Sequence, residues 1–221
     1  MPDILPPADE LARLLYTPVL SDVLDSLGLM RQALRPFIRP LDDSLVMVGR
    51  ARTGRYVPVT CASGDNPYVL EMDLIDSLLP GEVAVLACDG PTDTIAPWGE
   101  LLSTAARARQ AAGCVTDGLV RDVKQIREMR FPVFCGGIGP LDTKGRARMV
   151  ERDVPVQCAG VTVRPGDLVF GDVDGLVVIP REVERKVVKR ALDKVSGENQ
   201  SRDALRRGEK LADVFRRLGI L

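Results

Sequence analysis

The spacing of apolar residues divides the chain into a helical start, a strand-rich middle and a helical end. Pro6 to Leu15 and Thr17 to Leu27 repeat apolar residues at helical intervals. Thr17 reads as an N-cap, Pro18 as the first helical residue and Gly28 as the stop. Val46 to Val59 alternates and is rich in β-branched residues, with Gly49 and Gly54 dividing it into strands. Gly64-Asp65-Asn66-Pro67 is a turn signal, and Tyr68 to Leu79 has a helical pattern. Glu82 to Cys88 is a mostly continuous apolar run, the pattern of a strand buried on both faces.

A polar, Pro-rich loop, Asp89 to Gly99, then feeds a helix that starts at about Glu100. Leu101, Leu102, Ala105 and Ala108 recur at helical spacing, and Gly113 stands where a C′ glycine would end the helix. A short apolar strand follows and delivers Arg121-Asp122 at its end, just before a helix over Val123 to Met129. Phe131 to Cys135 is a further strand, broken by Gly136-Gly137 and Gly139-Pro140. Asp142 to Asp153 is charged and reads as a surface loop. Val154 to Ile179 is β-rich, with turns at Ala159-Gly160, Pro165-Gly166 and Asp174-Gly175. From Arg181 a charged helix runs to Gly197, and Gln200 to Leu218 is a second helical stretch broken at Gly208. No repeat, low-complexity tract or linker divides the 221 residues. The reading is one domain, 1–221, with a C-terminal helical tail over about 181–221.

Composition narrows the chemistry. A net charge of −1 gives no basic field for nucleic acid or anionic membrane. The chain has no histidine, which removes Ser-His-Asp and Cys-His catalysis and His-ligated zinc together. Any metal would rest on carboxylates, carbonyls and water, a donor set for Mg²⁺ or Mn²⁺. Cys61, Cys88, Cys114, Cys135 and Cys158 show no C-x-x-C spacing and read as small buried hydrophobes in a reducing cytoplasm. The start, Met1-Pro2-Asp3, has no basic and apolar signal pattern, and no apolar run reaches membrane-spanning length.

The candidate site lies between Gly99 and Asp122. A helix N-terminus at Gly99-Glu100-Leu101-Leu102 offers unpaired backbone amides to a small carboxylate. Arg121 can hold a negative oxygen, and Asp122 can ligate a hard divalent cation. These are the parts that binding a 2-keto acid requires. Read singly, each has a plainer role. Asp122 would cap the helix at Val123, Arg121 would pair with Asp117 or Glu128, Glu100 would favour its helix dipole, and Leu101 and Leu102 would be core residues. Asp172-Val173-Asp174-Gly175 reads as a hairpin turn in preference to a metal site. Lys124 and Lys144 lack the apolar setting of a Schiff-base lysine.

Taken in order, these motifs carry a resemblance. Gly99-Glu100-Leu101-Leu102 followed by Gly118-Leu119-Val120-Arg121-Asp122 resembles the class II pyruvate aldolases that cleave 4-hydroxy-4-methyl-2-oxoglutarate, a family that also contains the regulator of ribonuclease E activity. Phe131-Pro132-Val133-Phe134, Val161-Thr162-Val163-Arg164-Pro165-Gly166-Asp167 and Gly171 to Pro180 extend it, so that it covers about Gly49 to Pro180. The resemblance implies an α/β fold of the swivelling β/β/α type, a central β-region flanked by helices, assembled as trimers or hexamers with the site at a subunit interface. It implies Asp122 as the direct Mg²⁺ ligand, Arg121 on the keto oxygen and its enolate, and the Leu101 and Leu102 amides on the substrate carboxylate. Glu100 would bond a metal-bound water. An acidic residue would come from a neighbouring C-terminal helix, for which Glu198 is the candidate. The implied activity is cleavage of a 4-hydroxy-2-keto acid to pyruvate, with oxaloacetate decarboxylation alongside. The alternative is a non-enzymatic regulatory binder. Glu100 stands where the family often has Asp, and Gln125 where it often has an acid.

Overall fold

The computed structural model describes residues 5–59, 66–90 and 92–219. Two short helices, α1 (Ala8–Leu14) and α2 (Thr17–Ser26), precede the two-residue strand β1 (Arg39–Pro40) and the long strand β2 (Met47–Pro58). Three strand–helix units follow. They are α3 (Val69–Asp76) with β3 (Glu82–Ala87), α4 (Glu100–Ala108) with β4 (Gly113–Val120), and α5 (Val123–Met129) with β5 (Val133–Ile138). Then come β6 (Ala147–Arg152), the small hairpin β7 (Val156–Cys158) and β8 (Val161–Val163), the hairpin β9 (Leu168–Asp172) and β10 (Gly175–Ile179), and helices α6 (Glu184–Arg206) and α7 (Leu211–Leu218).

The main sheet has the order β1-β5-β4-β3-β2-β9-β10, with β6 paired to the far end of β2. The strands β2, β3, β4 and β5 are parallel neighbours, each joined to the next through a helix. β9 pairs antiparallel with β2, and β10 antiparallel with β9. The sheet curls until it nearly closes as a barrel. At the margin, the Arg39 guanidinium donates to the carbonyls of Val173 and Asp174 in the β9–β10 turn. This is the mixed α/β arrangement with flanking helices that the sequence implies.

Strand β3 shows why both faces are filled. Ala84 and Leu86 face a layer containing Leu74 and Ile75 of α3, Ala106 of α4 and Ile126 of α5. Val83, Val85 and Ala87 face the barrel interior, where Phe134, Val156, Val161, Val169 and Val178 meet them. Period-two alternation with apolar residues from Val83 to Ala87 leaves neither face for water. A third core joins β9–β10 to α1, α2 and α6 through Phe170, Val177, Leu20 and Val187. No described helix is long and apolar enough to cross a membrane.

Several sequence expectations are corrected. Thr17 is the first helical residue and not the N-cap, which is Tyr16 in extended conformation. The Thr17 amide and hydroxyl instead donate to the Asp172 carboxylate, at 2.8 and 2.6 Å, tying α2 to the β9–β10 turn. Gly49 and Gly54 do not divide β2, which runs 12 residues unbroken. Gly113 opens β4, and α4 ends at Ala108 with Arg109 as its C-cap. Gly136-Gly137 lies inside β5, because the two strands approach too closely for a side chain; a Cβ on Gly136 would meet the Asp117 carbonyl oxygen at 2.8 Å. Within the expected surface loop 142–153, Ala147–Arg152 is a strand whose buried Ala147 and Met149 face the α3 layer. Helix α6 passes through Gly197 without a break, since Lys194 binds Asp22 and Glu198 accepts the Tyr16 hydroxyl on either side of it. Of the expected 64–67 turn, Gly64 and Asp65 lie outside the described residues, as does Cys61; Asn66 Oδ1 accepts the Tyr68 amide at 3.1 Å. Cys88, Cys114, Cys135 and Cys158 are buried free thiols.

Candidate functional site

The C-terminal ends of the parallel strands converge on one pocket of about 390 Å³. The loop after β3 returns along β4. Leu119 N–H donates to the Ile95 carbonyl (3.0 Å) and Arg121 N–H to the Trp98 carbonyl (3.0 Å), which sets Gly99 beside Arg121-Asp122. Trp98 is fully buried, and its indole N–H donates to Ser103 Oγ at 2.7 Å. The Ser103 hydroxyl donates in turn to the Gly99 carbonyl at 2.9 Å. The start of α4 is thus pinned from below.

Gly99 lies tight against the Arg121 and Asp122 side chains. A Cβ there would stand 2.7 Å from Asp122 Oδ2 and 3.1 Å from Arg121 Cγ. The first intrahelical bond of α4 comes from Ser103 N–H to Gly99 (3.1 Å), so the amides of Leu101 and Leu102 precede the helical ladder. The Leu101 side chain is 77% exposed, which corrects its reading as a core residue; Leu102 is partly buried against the α3–α5 layer.

Asp122 holds a left-handed backbone conformation, φ 57° and ψ 34°, uncommon for a residue other than glycine and best tolerated by Asn and Asp. Its side chain does not cap α5, which begins at the next residue. It turns back, and Oδ2 accepts the Glu100 amide at 3.2 Å. Arg121 pairs with neither Asp117 nor Glu128. Its Nε lies 3.8 Å from Asp122 Oδ2 and its Nη2 3.6 Å from Asp142 Oδ1. Asp117 is buried and accepts the Cys88 and Ala159 amides, a structural role.

The pocket wall opposite Gly99 holds three groups that the sequence reading left aside. Tyr68 donates its hydroxyl to Asp142 Oδ2 at 2.6 Å. Burial tends to raise the Asp142 carboxyl, but this is outweighed by the Tyr68 hydroxyl, the Arg121 charge and two backbone amides, which hold it below the ordinary carboxylate range. Glu71 is buried and accepts the Tyr56 hydroxyl. Burial raises its pKa to about 6, against the hydrogen bond from Tyr56. The signal for Asp142 was its place just beyond β5, since the strand ends on this face carry the site. Glu71 gave none, being one acid in an ordinary amphipathic helix.

A family model described as RraA-like (Aldolase/RraA) matches residues 17–178. The chain belongs to the RraA-like family. One relative, from Halalkalibacterium halodurans, bears the name "Putative 4-hydroxy-4-methyl-2-oxoglutarate aldolase". It is 37% identical over 182 residues, covering 82% of this chain and 80% of that protein. A solved Pseudomonas syringae pv. tomato structure matches at TM-score 0.82 and 30% identity, over 96% of this chain and 99% of its own. Streptomyces coelicolor RraAS2, described as an unusual member of the RNase ES inhibitor RraA protein family, matches at TM-score 0.77 and 28% identity, over 90% and 98%.

In this RraA-like chain the fold brings Gly99, Leu101, Leu102, Arg121 and Asp122 into one pocket. The Glu100 carboxylate accepts the Thr104 hydroxyl at 2.8 Å and is not among the groups lining it. Glu198 lines a separate groove between α2 and the C-terminal helices, bound to Tyr16. Lys124 and Lys144 are exposed.

Proposed function

We propose that this chain is a divalent-metal-dependent aldolase that cleaves a 4-hydroxy-2-keto acid, of the 4-hydroxy-4-methyl-2-oxoglutarate type, to pyruvate. The observation that carries the reading is the placing of Arg121 and Asp122 directly against the N-terminus of α4, where the Asp122 carboxylate accepts the Glu100 amide and lies against Gly99. Three binding elements thereby face one small volume: helix amides for a carboxylate, a guanidinium for a keto oxygen, and a carboxylate for a cation.

The donor set suits hydrated Mg²⁺ or Mn²⁺. Among the described residues no cluster of three His, Cys, Asp or Glu side chains gathers to cage a metal. Mg²⁺ needs none, because it keeps most of its waters and is held by one or two carboxylates. Asp122 is the ligand in this reading, and the bound cation supplies Lewis acidity toward the 2-keto group. The Leu101 and Leu102 amides take the C1 carboxylate. Arg121 bonds the keto oxygen and stabilises the charge that grows on it as the bond between C3 and C4 breaks. Glu100 assists removal of the C4 hydroxyl proton through water, which requires its carboxylate to leave Thr104. The same enolate arises from oxaloacetate, so decarboxylation of that acid is an expected side activity.

The pocket rim is apolar and open. Leu101 and Met72, which line it, expose 77% and 43% of their surfaces, and Ile138, 60% exposed, lines an adjoining depression that shares Arg121 and Asp122. This supports a homo-oligomer, trimer or hexamer, in which a neighbour covers the rim, with Glu198 as the candidate residue it contributes. Likeness to RraAS2 favours a second reading, a non-catalytic regulatory binder. Pyruvate release from 4-hydroxy-4-methyl-2-oxoglutarate and oxaloacetate, measured with Mg²⁺, with excess chelator and in Asp122→Asn, separates the two. Turnover that needs metal and Asp122 is expected. No metal-dependent turnover on either acid would favour the binder.

A further inference from the structure

Arg121 lies between two carboxylates. Its Nε is 3.8 Å from Asp122 Oδ2, and its Nη2 is 3.6 Å from Asp142 Oδ1. Asp122 is the next residue in the chain, so this first pair is available whatever the rest of the fold does. It sets the cation meant for the keto oxygen against the carboxylate meant for the metal. A guanidinium seated fully on Asp122 would occupy the oxygen that a divalent cation needs and would repel that cation. It would also be drawn off the substrate. Keeping both groups available requires a pull from the other side.

Asp142 is placed to supply it. It follows β5 in the chain and lines the same pocket. Both of its carboxylate oxygens are held by the protein. Oδ1 accepts the Thr143 amide at 2.8 Å, and Oδ2 accepts the Tyr68 hydroxyl at 2.6 Å. The backbone beneath is fixed as well. The Ala96 amide donates to the Leu141 carbonyl at 3.0 Å, and Arg146 Nη1 donates to the Asp142 carbonyl at 3.1 Å.

Tyr68 is anchored in turn, because its amide donates to Asn66 Oδ1 at 3.1 Å. Burial and the bond to Asp142 push its phenol up to about 12, so it stays a donor at neutral pH. Burial tends to raise the Asp142 carboxyl, but the Tyr68 hydroxyl, the Arg121 charge and backbone amides outweigh it and keep the group ionised. A carboxylate with both oxygens already engaged is poorly suited to take up a proton or a metal ion. What it offers is a negative charge fixed in place.

Resting on the aldolase reading, we propose that Asp142 is a positioning residue. It draws the Arg121 guanidinium away from Asp122, which leaves the Asp122 carboxylate open to the divalent cation and the guanidinium open to the keto oxygen.

A double-mutant cycle tests this, read by calorimetric titration of Mg²⁺ into the metal-free full-length protein. The variants are Asp142→Asn, Arg121→Gln and the two together. Asn keeps an acceptor for Tyr68 but offers no charge to Arg121. With Arg121 present, Asp142→Asn should weaken Mg²⁺ binding by about tenfold or more. In Arg121→Gln, where no guanidinium can fall back on Asp122, the same change should cost no more than about threefold. Asp142→Glu, which restores the charge, should recover most of the loss.

Equal weakening in both backgrounds would make Asp142 simply a further negative charge near the metal and would overturn the proposal. Unchanged affinity in Asp142→Asn, or no recovery in Asp142→Glu, would do the same. Each of these results leaves the aldolase reading intact, because the parent protein still binds Mg²⁺. A parent that takes up no Mg²⁺ would overturn the aldolase reading and this proposal with it.

Discussion

The Asp122 carboxylate accepts the backbone amide of Glu100 at 3.2 Å, so a residue at the end of one strand completes the start of a helix 22 positions earlier. The carboxylate thus has two neighbours of opposite kind, a helix N-terminus and the Arg121 guanidinium. Asp122→Asn keeps an acceptor oxygen and tolerates the left-handed backbone, so its midpoint of thermal unfolding should stay within a few degrees of the parent. Metal-dependent pyruvate release should fall by at least a hundredfold. Retained turnover would remove Asp122 from the chemistry.

Gly99→Ala probes the space between the two segments. The backbone at Gly99 is extended and open to any residue, but the added methyl would stand 2.7 Å from Asp122 Oδ2. The Asp122 carboxylate must turn aside, away from the Glu100 amide it accepts. A stability loss of about 1–3 kcal/mol is expected, along with weaker Mg²⁺ binding by calorimetry. Unchanged affinity would mean that the close approach does not govern the site.

Ser103→Ala removes the acceptor for the buried Trp98 indole. An unsatisfied buried donor costs about 1–3 kcal/mol, or roughly 2–4 °C in midpoint for each kcal/mol in a chain of this size. Trp98 is the chain's sole tryptophan, so its emission reports the change directly. An unaltered spectrum and midpoint would show that the bond contributes nothing.

Glu71 links pH to stability. Its folded pKa of about 6 lies above its ordinary 4.5, chiefly because of burial. A raised carboxyl stabilises the fold fully below about pH 4.5, and that contribution is lost as pH rises through about 6. Glu71→Gln keeps an acceptor for Tyr56 and does not ionise. Relative to the parent it should gain stability between pH 4.5 and 7, on the order of 2 kcal/mol at most, and stay level above that. A difference independent of pH would mean that Glu71 is not a shifted acid.

Helices α3 and α5 and strands β3, β4 and β10 were legible because their apolar periods were unmixed. What hid from the sequence was set by contacts between distant segments. Ala147–Arg152 alternates, but only Ala147 and Met149 carry the apolar half, and flanking charges disguise the strand. Gly136 read as a break because nothing local shows that the Asp117 carbonyl lies against it. Of the candidate site, Gly99, Arg121 and Asp122 stood out through their neighbours in the chain. Tyr68, Glu71 and Asp142 did not, since the bonds of Tyr68 to Asp142, of Asp142 to Arg121 and of Glu71 to Tyr56 exist only after three strands have aligned.

That alignment has a kinetic consequence. The pocket draws on the ends of β3, β4 and β5 and on α3, and parallel strands pair across intervening helices, so each contact closes a long loop. No hairpin or isolated helix carries a usable fragment of the pocket. In refolding from denaturant, recovery of ligand binding should therefore trail recovery of helical signal, and the pocket serves as a clock for the last step of folding.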